Sequence, residues 1–257
     1  MSTKNSVLML LFALSLWLCA PFVSASHAGI SGGQRRGAQR ATREEFVRQE
    51  EVVSFPRAGR VRVRAVEVPR TRPRLEFISE KTGRRLLSLS VGASDARAYR
   101  IESYATPMNP LVRFKVLETE GLPGPLVFAV AVKPGGTDHG FETNIIAEAG
   151  GRLKRLNASP LTNNIQGGVF VGDLGAGRGP GVAVWNFLWG DEAHYGAHRY
   201  EVRLHPFDAR TASFRRGRQL RTRGKHANGR DALAELGLPR YANLLDEMPS
   251  IAEYRRN

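Results

Sequence analysis

The chain has 257 residues, of which 38 are lysine or arginine, 24 are aspartate or glutamate, and one is cysteine. This length is sufficient to bury one sizeable hydrophobic core. The formal net charge of +14 creates a positive field that attracts polyanions such as nucleic acid, acidic glycans or an anionic surface.

The first 25 residues have the three parts of a secretory signal peptide. Lys4 gives a positive start, residues 7–18 form an apolar run, and Ala25 ends a group of small residues suited to cleavage. The apolar run is too short to span a bilayer comfortably, and the bulky Leu18 before Cys19 disfavours lipoprotein processing. We expect a secreted or periplasmic protein that is cleaved near Ala25 and is not transmembrane after cleavage.

Cleavage removes Lys4 and the only cysteine, Cys19, so the charge falls from +14 to +13 and no thiol is left. A mature chain without thiols excludes disulfides, zinc–thiolate sites, iron–sulfur clusters and a cysteine nucleophile. Its fold must therefore rely on burial. We assign no cofactor to the chain.

The rest of the chain divides by composition into three parts. Residues 26–50 are polar and basic with little to bury, which predicts a disordered arm. Residues 51–228 contain repeated apolar stretches with period-two alternation, which predicts an antiparallel β domain. Residues 229–257 have apolar side chains at helical spacing, which predicts a short helical segment.

Alternation is clearest near residue 60, where Val61 and Val63 alternate with Arg60, Arg62 and Arg64. Such a strand has one face in the core and the other in water. Farther on, three short polar turns separate pairs of apolar stretches and predict β-hairpins. These turns are residues 80–83, 148–151 and 208–211. Their recurrence suggests an internal repeat.

A second segment repeats together with the hairpins. Residues 116–127 can be aligned with residues 171–182 without a gap, and a Gly-Pro pair then falls at the same place in both. Continued in the same register, the alignment brings His139 onto His194. Each unit is then a strand, a glycine-rich turn, a strand, a longer loop and a hairpin.

Two short helices are predicted at the C-terminus. Ala232 and Leu233 precede a stop at Gly237, and residues 241–248, after Pro239, carry apolar side chains at helical spacing. The complete prediction is an all-β fold, an antiparallel meander or propeller-like array of repeated hairpins, with these two helices. A β-sandwich built of meanders is the alternative.

The glycine-rich loop VGDLGAGRGPG, residues 171–181, resembles a phosphate-binding loop at first sight. A P-loop requires a lysine after its last glycine and then a helix, and a dinucleotide fingerprint also opens a helix. Here no lysine follows, and the next residues, VAVWNF, have strand character. The loop is therefore not expected to hold a nucleotide.

The frame of this loop resembles the FG-GAP or VCBS type of β-propeller repeat, in which a strand ending in aspartate leads into a calcium loop. Asp173 stands at the first ligand position and Pro180 precedes the last one. However, Gly175, Gly177 and Gly181 stand where that family has oxygen donors, and calcium requires about six to eight oxygens. The resemblance covers the two aligned units and implies degenerate repeats whose loop binds no calcium.

The densest group of chemically versatile side chains lies in residues 185–201. Tryptophan and tyrosine faces beside aspartate and histidine favour a cleft for a carbohydrate or a peptide. The candidate ligand-binding residues are Asp138, His139, Trp185, Trp189, Asp191, His194, Tyr195 and His198. The repeat alignment predicts that loops 133–142 and 189–198 emerge at the same end of the fold. The alternative is structural: the tryptophans fill the core and the polar side chains cap turns.

No catalytic residue and no metal ligand are assigned. The histidines lie in loops, where their spacing imposes no geometry. The sequence lacks the esterase elbow and the H-E-x-x-H motif, and the adjacent Asp191 and Glu192 would point to opposite faces of a strand. A carbohydrate-acting or metal-assisted hydrolase that uses the histidine-containing loops is the alternative to a non-catalytic protein.

Residues 214–230 form a basic run without any acidic side chain. The candidate polyanion-binding residues are Arg215, Arg216, Arg218, Arg221 and Arg223. Aromatic residues do not interleave the run as single-strand binders require, so we expect no specific recognition of nucleic acid. A solvated loop is the alternative. The sequence thus predicts a secreted, non-catalytic binding or scaffold protein whose partner is a glycan, a peptide or a polyanion.

Overall fold

The computed structural model of the chain describes residues 45–67, 72–92, 111–133, 140–190 and 196–256. The strands in these residues pair in antiparallel fashion and form three sheets, followed by two short helices. The predicted all-β fold of antiparallel hairpins with two C-terminal helices is therefore confirmed. No helix in the described ranges is long and apolar enough to cross a membrane.

The first sheet is a four-stranded meander in chain order. Its strands are β1 (Phe46–Phe55), β2 (Gly59–Glu67), β3 (Arg74–Ser79) and β4 (Arg85–Ser90). The predicted alternation is present in β2, where Val61 and Val63 are fully buried. The intervening Arg62 lies on the polar face, where its Nη2 is 2.8 Å from Glu80 Oε1.

Strand β1 begins at Phe46, so residues 46–50 belong to the sheet and not to the arm in which the sequence analysis placed them. Polar side chains in these residues have specific partners, which explains why a polar segment is ordered. The Gln49 amide donates to the Phe114 carbonyl at 2.8 Å and accepts from the Phe114 N–H at 3.0 Å. Through these two hydrogen bonds the first sheet is joined to the second.

The second and third sheets each have five strands. The second contains β5 (Val112–Leu117), β6 (Leu126–Lys133), β7 (Gly140–Ala149), β8 (Arg152–Arg155) and β9 (Leu161–Asn164). The third contains β10 (Gly168–Asp173), β11 (Pro180–Leu188), β12 (Arg199–Asp208), β13 (Ser213–Phe214) and β14 (Gln219–Arg221). The first four strands of each follow chain order, whereas β9 pairs with β7 and β14 pairs with β12.

The two aligned segments occupy equivalent places in these sheets. Val116 lies opposite Val127 in the first hairpin of the second sheet, and Val171 lies opposite Val182 in the first hairpin of the third. Residues matched by the gapless alignment therefore pair in the same register in the two sheets. The three predicted polar turns likewise connect the third and fourth strands of the three sheets.

The sheets pack face to face. The first and second sheets share one apolar cluster, to which Phe77 and Phe114 belong. The opposite face of the second sheet packs against the third sheet and the second helix in another cluster, which includes Phe128, Val184 and Ile251. Because both faces of the second sheet are covered, residues 126–132 of β6 are all buried, as this run of apolar residues requires.

The first helix, α1 (Gly229–Glu235), covers the outer face of the third sheet with Ala232 and Leu233. Its N-cap is Asn228, whose side-chain oxygen accepts a hydrogen bond from the Asp231 N–H at 3.0 Å. The helix ends before Gly237, which has the positive φ of 63° typical of a helix stop. The predicted stop is therefore observed.

The second helix, α2 (Pro249–Arg256), begins later than the sequence analysis predicted. Residues 244–247 form turns, because their backbone is engaged by β10: the Leu244 N–H donates to the Val169 carbonyl at 2.9 Å. The Asn243 side chain accepts from the Val169 N–H at 3.1 Å. Proline is favoured in the first turn of a helix, and here Pro249 opens it.

Candidate functional site

The structure describes three of the predicted ligand-binding residues, Trp185, Trp189 and His198. The other predicted residues lie outside the described ranges: Asp138, His139, Asp191, His194 and Tyr195. The three that are described lie at the end of β11 and the start of β12, but they have different environments.

Trp185 is a core residue with only 4% of its surface exposed. Its indole lies between two glycines. A Cβ added to Gly168 would lie 2.1 Å from the indole Cζ2, and a Cβ added to Gly229 would lie 2.4 Å from Nε1. Both distances are too short for any side chain, so these glycines provide the space that the indole fills beneath α1. Trp185 therefore fills space in the core, as the structural alternative to a ligand-binding cleft predicts.

His198 is also a core residue, with no exposed surface. Its ring centroid lies 4.6 Å from that of Phe187 and 6.2 Å from that of Trp189. Its backbone N–H donates to the His226 carbonyl at 3.0 Å, and the His226 N–H donates back at 2.7 Å. His198 thus helps to attach the segment before α1 to β12, and its burial separates it from an open ligand surface.

Trp189 differs from the other two because 46% of its surface is exposed. It lines a depression of about 240 Å³ together with Gly140, Leu188, Asn164 and Asn186. Gly140 follows the loop from β6, and Leu188 precedes the loop from β11. The described ends of the two loops therefore lie together, in agreement with the repeat alignment, while their central residues fall outside the described ranges.

The floor of this depression is held by asparagine side chains. The Asn186 side-chain oxygen accepts from the Asn164 N–H at 2.7 Å, and the Asn186 amide donates to the Thr162 carbonyl at 3.2 Å. The Asn164 amide donates to the Phe187 carbonyl at 2.8 Å. These bonds attach β9, which belongs to the second sheet, to β11 of the third. An edge strand therefore bridges the two sheets at this place.

A larger groove, which we call the inter-sheet groove, adjoins the Trp189 depression. It has a volume of about 500 Å³ and lies between the segment 157–161 and strands β12 and β14. Its polar lining residues are Asn157, Ser159, Glu201, Arg203, His205, Arg216, Gln219 and Arg221. Glu201 and Arg203 line the Trp189 depression as well, so the groove and the depression share one wall.

Positive charge dominates the inter-sheet groove. Glu201 is its only acidic lining residue, and it is paired with Arg221, at 2.9 Å, and with Arg203, at 3.4 Å. Arg216 is exposed, and no carboxylate in the described ranges lies within ion-pair distance of it. Three arginines against one carboxylate leave an uncompensated positive charge that faces solvent.

His205 lies in the wall of the groove. Burial lowers its pKa from the ordinary value of 6.5, a hydrogen bond to the Arg215 backbone opposes that effect, and the positive charges of Arg203 and Arg216 add to the lowering. Its Nε2 atom has no hydrogen-bond partner within the described ranges. The imidazole is therefore neutral near pH 7, and its Nε2 is a buried nitrogen.

The basic run forms part of a sheet edge and is not a loose loop. The Leu204 N–H donates to the Arg218 carbonyl at 2.9 Å, and the Thr222 N–H donates to the Tyr200 carbonyl at 3.0 Å. At Gly217 the backbone approaches so closely that a Cβ would lie 1.9 Å from the Leu204 oxygen. A glycine is therefore required where the run docks on β12.

The predicted polyanion-binding arginines divide into two groups. Arg216 and Arg221 line the inter-sheet groove. Arg218 and Arg223 are exposed outside its lining, and Arg215 is ion-paired with an aspartate of β12 at 3.5 Å. The structure therefore brings two of the five predicted residues into one site.

Sequence reasoning missed six of the eight polar groove residues, among them Glu201, Arg203 and His205. A signal was present, because Glu201, Arg203 and His205 alternate with Val202 and Leu204 along β12. Period-two alternation places the three polar side chains on one face of the strand. The pattern does not show that this face borders a groove, because the groove is formed only when the second sheet packs beside β12.

The glycine-rich loop connects β10 to β11, and the positively charged side chain of Arg178 binds carbonyl oxygens of the loop. The Asp173 Oδ1 atom accepts from the Gly175 N–H at 3.0 Å. The Arg178 guanidinium donates to the Gly175 carbonyl at 3.2 Å and to the Leu174 carbonyl at 3.4 Å. The Tyr241 hydroxyl also donates to the Leu174 carbonyl, at 2.8 Å. Oxygens of the loop thus accept hydrogen bonds from arginine and tyrosine side chains, and the loop anchors the segment that precedes α2.

Within the described ranges, no group of three histidine, cysteine, aspartate or glutamate side chains is arranged to hold a metal ion. The residues on which the hydrolase alternative depends, His139, His194 and Asp191, lie outside those ranges. No protein-family model matches the sequence, and no curated protein is significantly similar to it.

Proposed function

We propose that this chain is an exported, non-catalytic binding protein that holds an acidic glycan in the inter-sheet groove. The observation that carries the proposal is the lining of that groove, where three arginines face a single carboxylate over a volume of about 500 Å³. Planar guanidinium groups bind carboxylate and sulfate oxygens through paired, charge-assisted hydrogen bonds.

The surroundings of the groove favour a glycan over nucleic acid. Its adjoining depression has one exposed tryptophan, Trp189, beside the asparagine side chains Asn164 and Asn186. A single aromatic face with amide groups suits a sugar ring that has an apolar face and polar hydroxyls. Binding of single-stranded nucleic acid uses several aromatic platforms for successive bases.

The same lining supports a binding role instead of hydrolysis. Glycosidases generally use two carboxyl groups on either side of the scissile bond. Glu201 is the only acidic side chain that lines the groove, and it is ion-paired with Arg221 and Arg203. In this arrangement Glu201 orients the two guanidinium groups.

We further propose that the three sheets are degenerate repeats of the FG-GAP-like type. The supporting observations are the shared order of the first four strands and the equal register of Val116–Val127 and Val171–Val182. In this proposal the Arg178 guanidinium takes the place of a bound cation in the third repeat. In this proposal the junction of the second and third repeats provides the ligand surface.

The proposal is tested with the secreted chain and a heparin-derived oligosaccharide, measured by calorimetry at two salt concentrations. We expect salt-sensitive binding that is weakened about tenfold or more in Arg203→Ala/Arg216→Ala, because two charge-assisted contacts are lost. The control is Arg84→Ala/Arg240→Ala, which removes the same charge from exposed positions outside the groove.

Two outcomes would contradict the proposal. Equal weakening in both double variants would show that net charge, and not the groove, holds the polyanion. Tighter binding of an oligothymidylate of equal charge than of the oligosaccharide would show that nucleic acid is preferred.

A further inference from the structure

A second and larger cavity lies on the opposite face of the third sheet. It occupies about 770 Å³ between the sheet, α1 and α2, and we call it the helix-side cavity. Residues that line it include Trp185, Tyr200, Asn228, Asp231, Tyr241 and Arg255. Tyr200 points to the side of β12 opposite to Glu201 and Arg203, so the cavity and the inter-sheet groove are separate sites.

The Tyr200 side chain is a buried polar group that faces this cavity. Only 1% of the residue is exposed, and no residue in the described ranges forms a hydrogen bond with its hydroxyl. Burial raises the pKa of Tyr200 to about 12, so the hydroxyl keeps its proton and remains a donor at every physiological pH. Since the hydroxyl opens onto the cavity, water or a ligand held there can accept its hydrogen bond.

Trp185 supplies a second donor at the same cavity. It lines the cavity, and no residue in the described part of the chain accepts a hydrogen bond from its indole N–H. Gly168 and Gly229 confine the ring on two sides, so the position of the N–H is fixed by packing. The cavity therefore presents two fixed donor groups that have no acceptor from the described protein.

The charges around the cavity are balanced. Two arginines, Arg230 and Arg255, and two aspartates, Asp231 and Asp246, line it. Each nitrogen of the Arg255 guanidinium has a partner, since the group donates to the Ile165 carbonyl at 2.9 Å, to another backbone carbonyl at 2.9 Å, and to Asp246. This balance distinguishes the cavity from the positively charged groove and favours a ligand without net charge.

We propose that the helix-side cavity binds a neutral, polyhydroxylated small molecule of one or two sugar units, whose oxygens accept hydrogen bonds from Tyr200 and Trp185. Its volume of about 770 Å³ lies within the range of small-molecule sites. Ring and hydroxyl oxygens of a sugar supply the acceptors that the two donors lack, and its hydroxyls can donate to the Asp231 carboxylate, which lines the cavity. This proposal does not depend on the inter-sheet groove.

The experiment uses the full secreted chain and a fixed panel of neutral probes: glucose, galactose, mannose, N-acetylglucosamine, maltose, cellobiose and chitobiose. Binding is measured by tryptophan fluorescence and by ligand-observed saturation-transfer NMR. We expect at least one probe to bind saturably, and Tyr200→Phe to weaken that probe about fivefold through loss of one hydrogen bond. Tyr254→Phe, a change of the same chemistry at a tyrosine that does not line the cavity, should leave the affinity unchanged.

The inference is overturned if no probe binds with a dissociation constant below about 10 mM, or if Tyr200→Phe binds as tightly as the unmodified chain. Thermal unfolding of Tyr200→Phe shows whether a loss of binding reflects misfolding, and Trp185→Phe, which keeps a ring but removes the N–H, provides a second variant. The groove variant Arg203→Ala/Arg216→Ala should bind the neutral probe normally. Its result separates failure of this inference from failure of the proposed glycan groove.

Discussion

The guanidinium of Arg178 lies 3.2 Å from the carbonyl oxygen of Gly175, inside a loop whose frame resembles a calcium site. The loop follows an unusual backbone path, with positive φ at Gly175, Ala176, Gly177 and Gly179. In this loop the carbonyl oxygens of Leu174 and Gly175 both accept hydrogen bonds from the Arg178 guanidinium. A side-chain cation that belongs to the loop stabilises them without an ion from solution.

We therefore predict that calcium does not stabilise the protein and that Arg178→Ala does destabilise it. Thermal unfolding with calcium and with chelator should coincide, and a rise of several degrees with calcium would reveal a bound ion. Arg178→Ala should lower the free energy of unfolding by about 1 kcal/mol, because two carbonyl oxygens lose a charged donor. Arg240→Ala, at an exposed site, should change it by less than about 0.5 kcal/mol.

The second prediction concerns the space occupied by Trp185. Gly229→Ala places a methyl group 2.4 Å from the indole Nε1, so it should lower the free energy of unfolding by about 2 kcal/mol despite the better helix propensity of alanine. Urea denaturation measures the change. Combination with Trp185→Leu, which shortens the side chain, should cost less than the sum of the two single changes. Strict additivity would mean that the glycine and the indole are not in contact.

The third prediction concerns the wall of the inter-sheet groove. Asn157 is 2% exposed; its side chain accepts from the Ile145 N–H at 2.8 Å and donates to the Ser159 carbonyl at 2.8 Å. Asn157→Ala should lower the free energy of unfolding by about 3 kcal/mol, since it leaves a buried backbone N–H without a partner. Ser159→Ala, at an exposed position in the same segment, is the matched control. Equal effects of the two changes would rule out the assigned role of Asn157.

The fourth prediction is a dependence of stability on pH. Burial depresses the pKa of His205 in the folded protein below the ordinary value of 6.5. Between the two pKa values the unfolded state binds more protons, so stability falls as the pH is lowered from 6.5 through the folded pKa. His205→Gln should make stability less dependent on pH between about 7 and 5, where most carboxylates are still ionised. Parallel stability profiles for the two proteins would show that His205 does not titrate differently on folding.

The fifth prediction is export with cleavage near Ala25, which follows from the positive start and apolar run of the first 25 residues. Intact mass of the protein recovered outside the cytoplasm should correspond to a chain that begins at Ser26. Recovery of a chain that still contains the first 25 residues would contradict processing at this site.

Local sequence patterns were sufficient to predict the antiparallel hairpins. Alternation of Val61 and Val63 with Arg62 specifies which face of β2 is buried, because successive side chains of a strand point to opposite faces. The equal spacing of the two Gly-Pro turns predicted equivalent hairpins, and the pairing of Val171 with Val182 agrees with that alignment. These features depend on neighbouring residues, so they can be read without knowledge of the packing.

Tertiary structure decided the start of α2 and the position of the candidate site. Residues 244–247 have apolar helical spacing, yet a hydrogen bond from Leu244 to Val169 of a distant strand holds them in turns. The groove forms where the segment 157–161, which leads into β9 of the second sheet, lies beside β12 and β14 of the third sheet. The hydrogen bond between Asn164 and Asn186 joins β9 to β11 next to it. Contacts between residues far apart in the chain bring Arg203 and Arg216 to one surface. This arrangement cannot be predicted from local secondary-structure propensity or from the distribution of charge along the sequence.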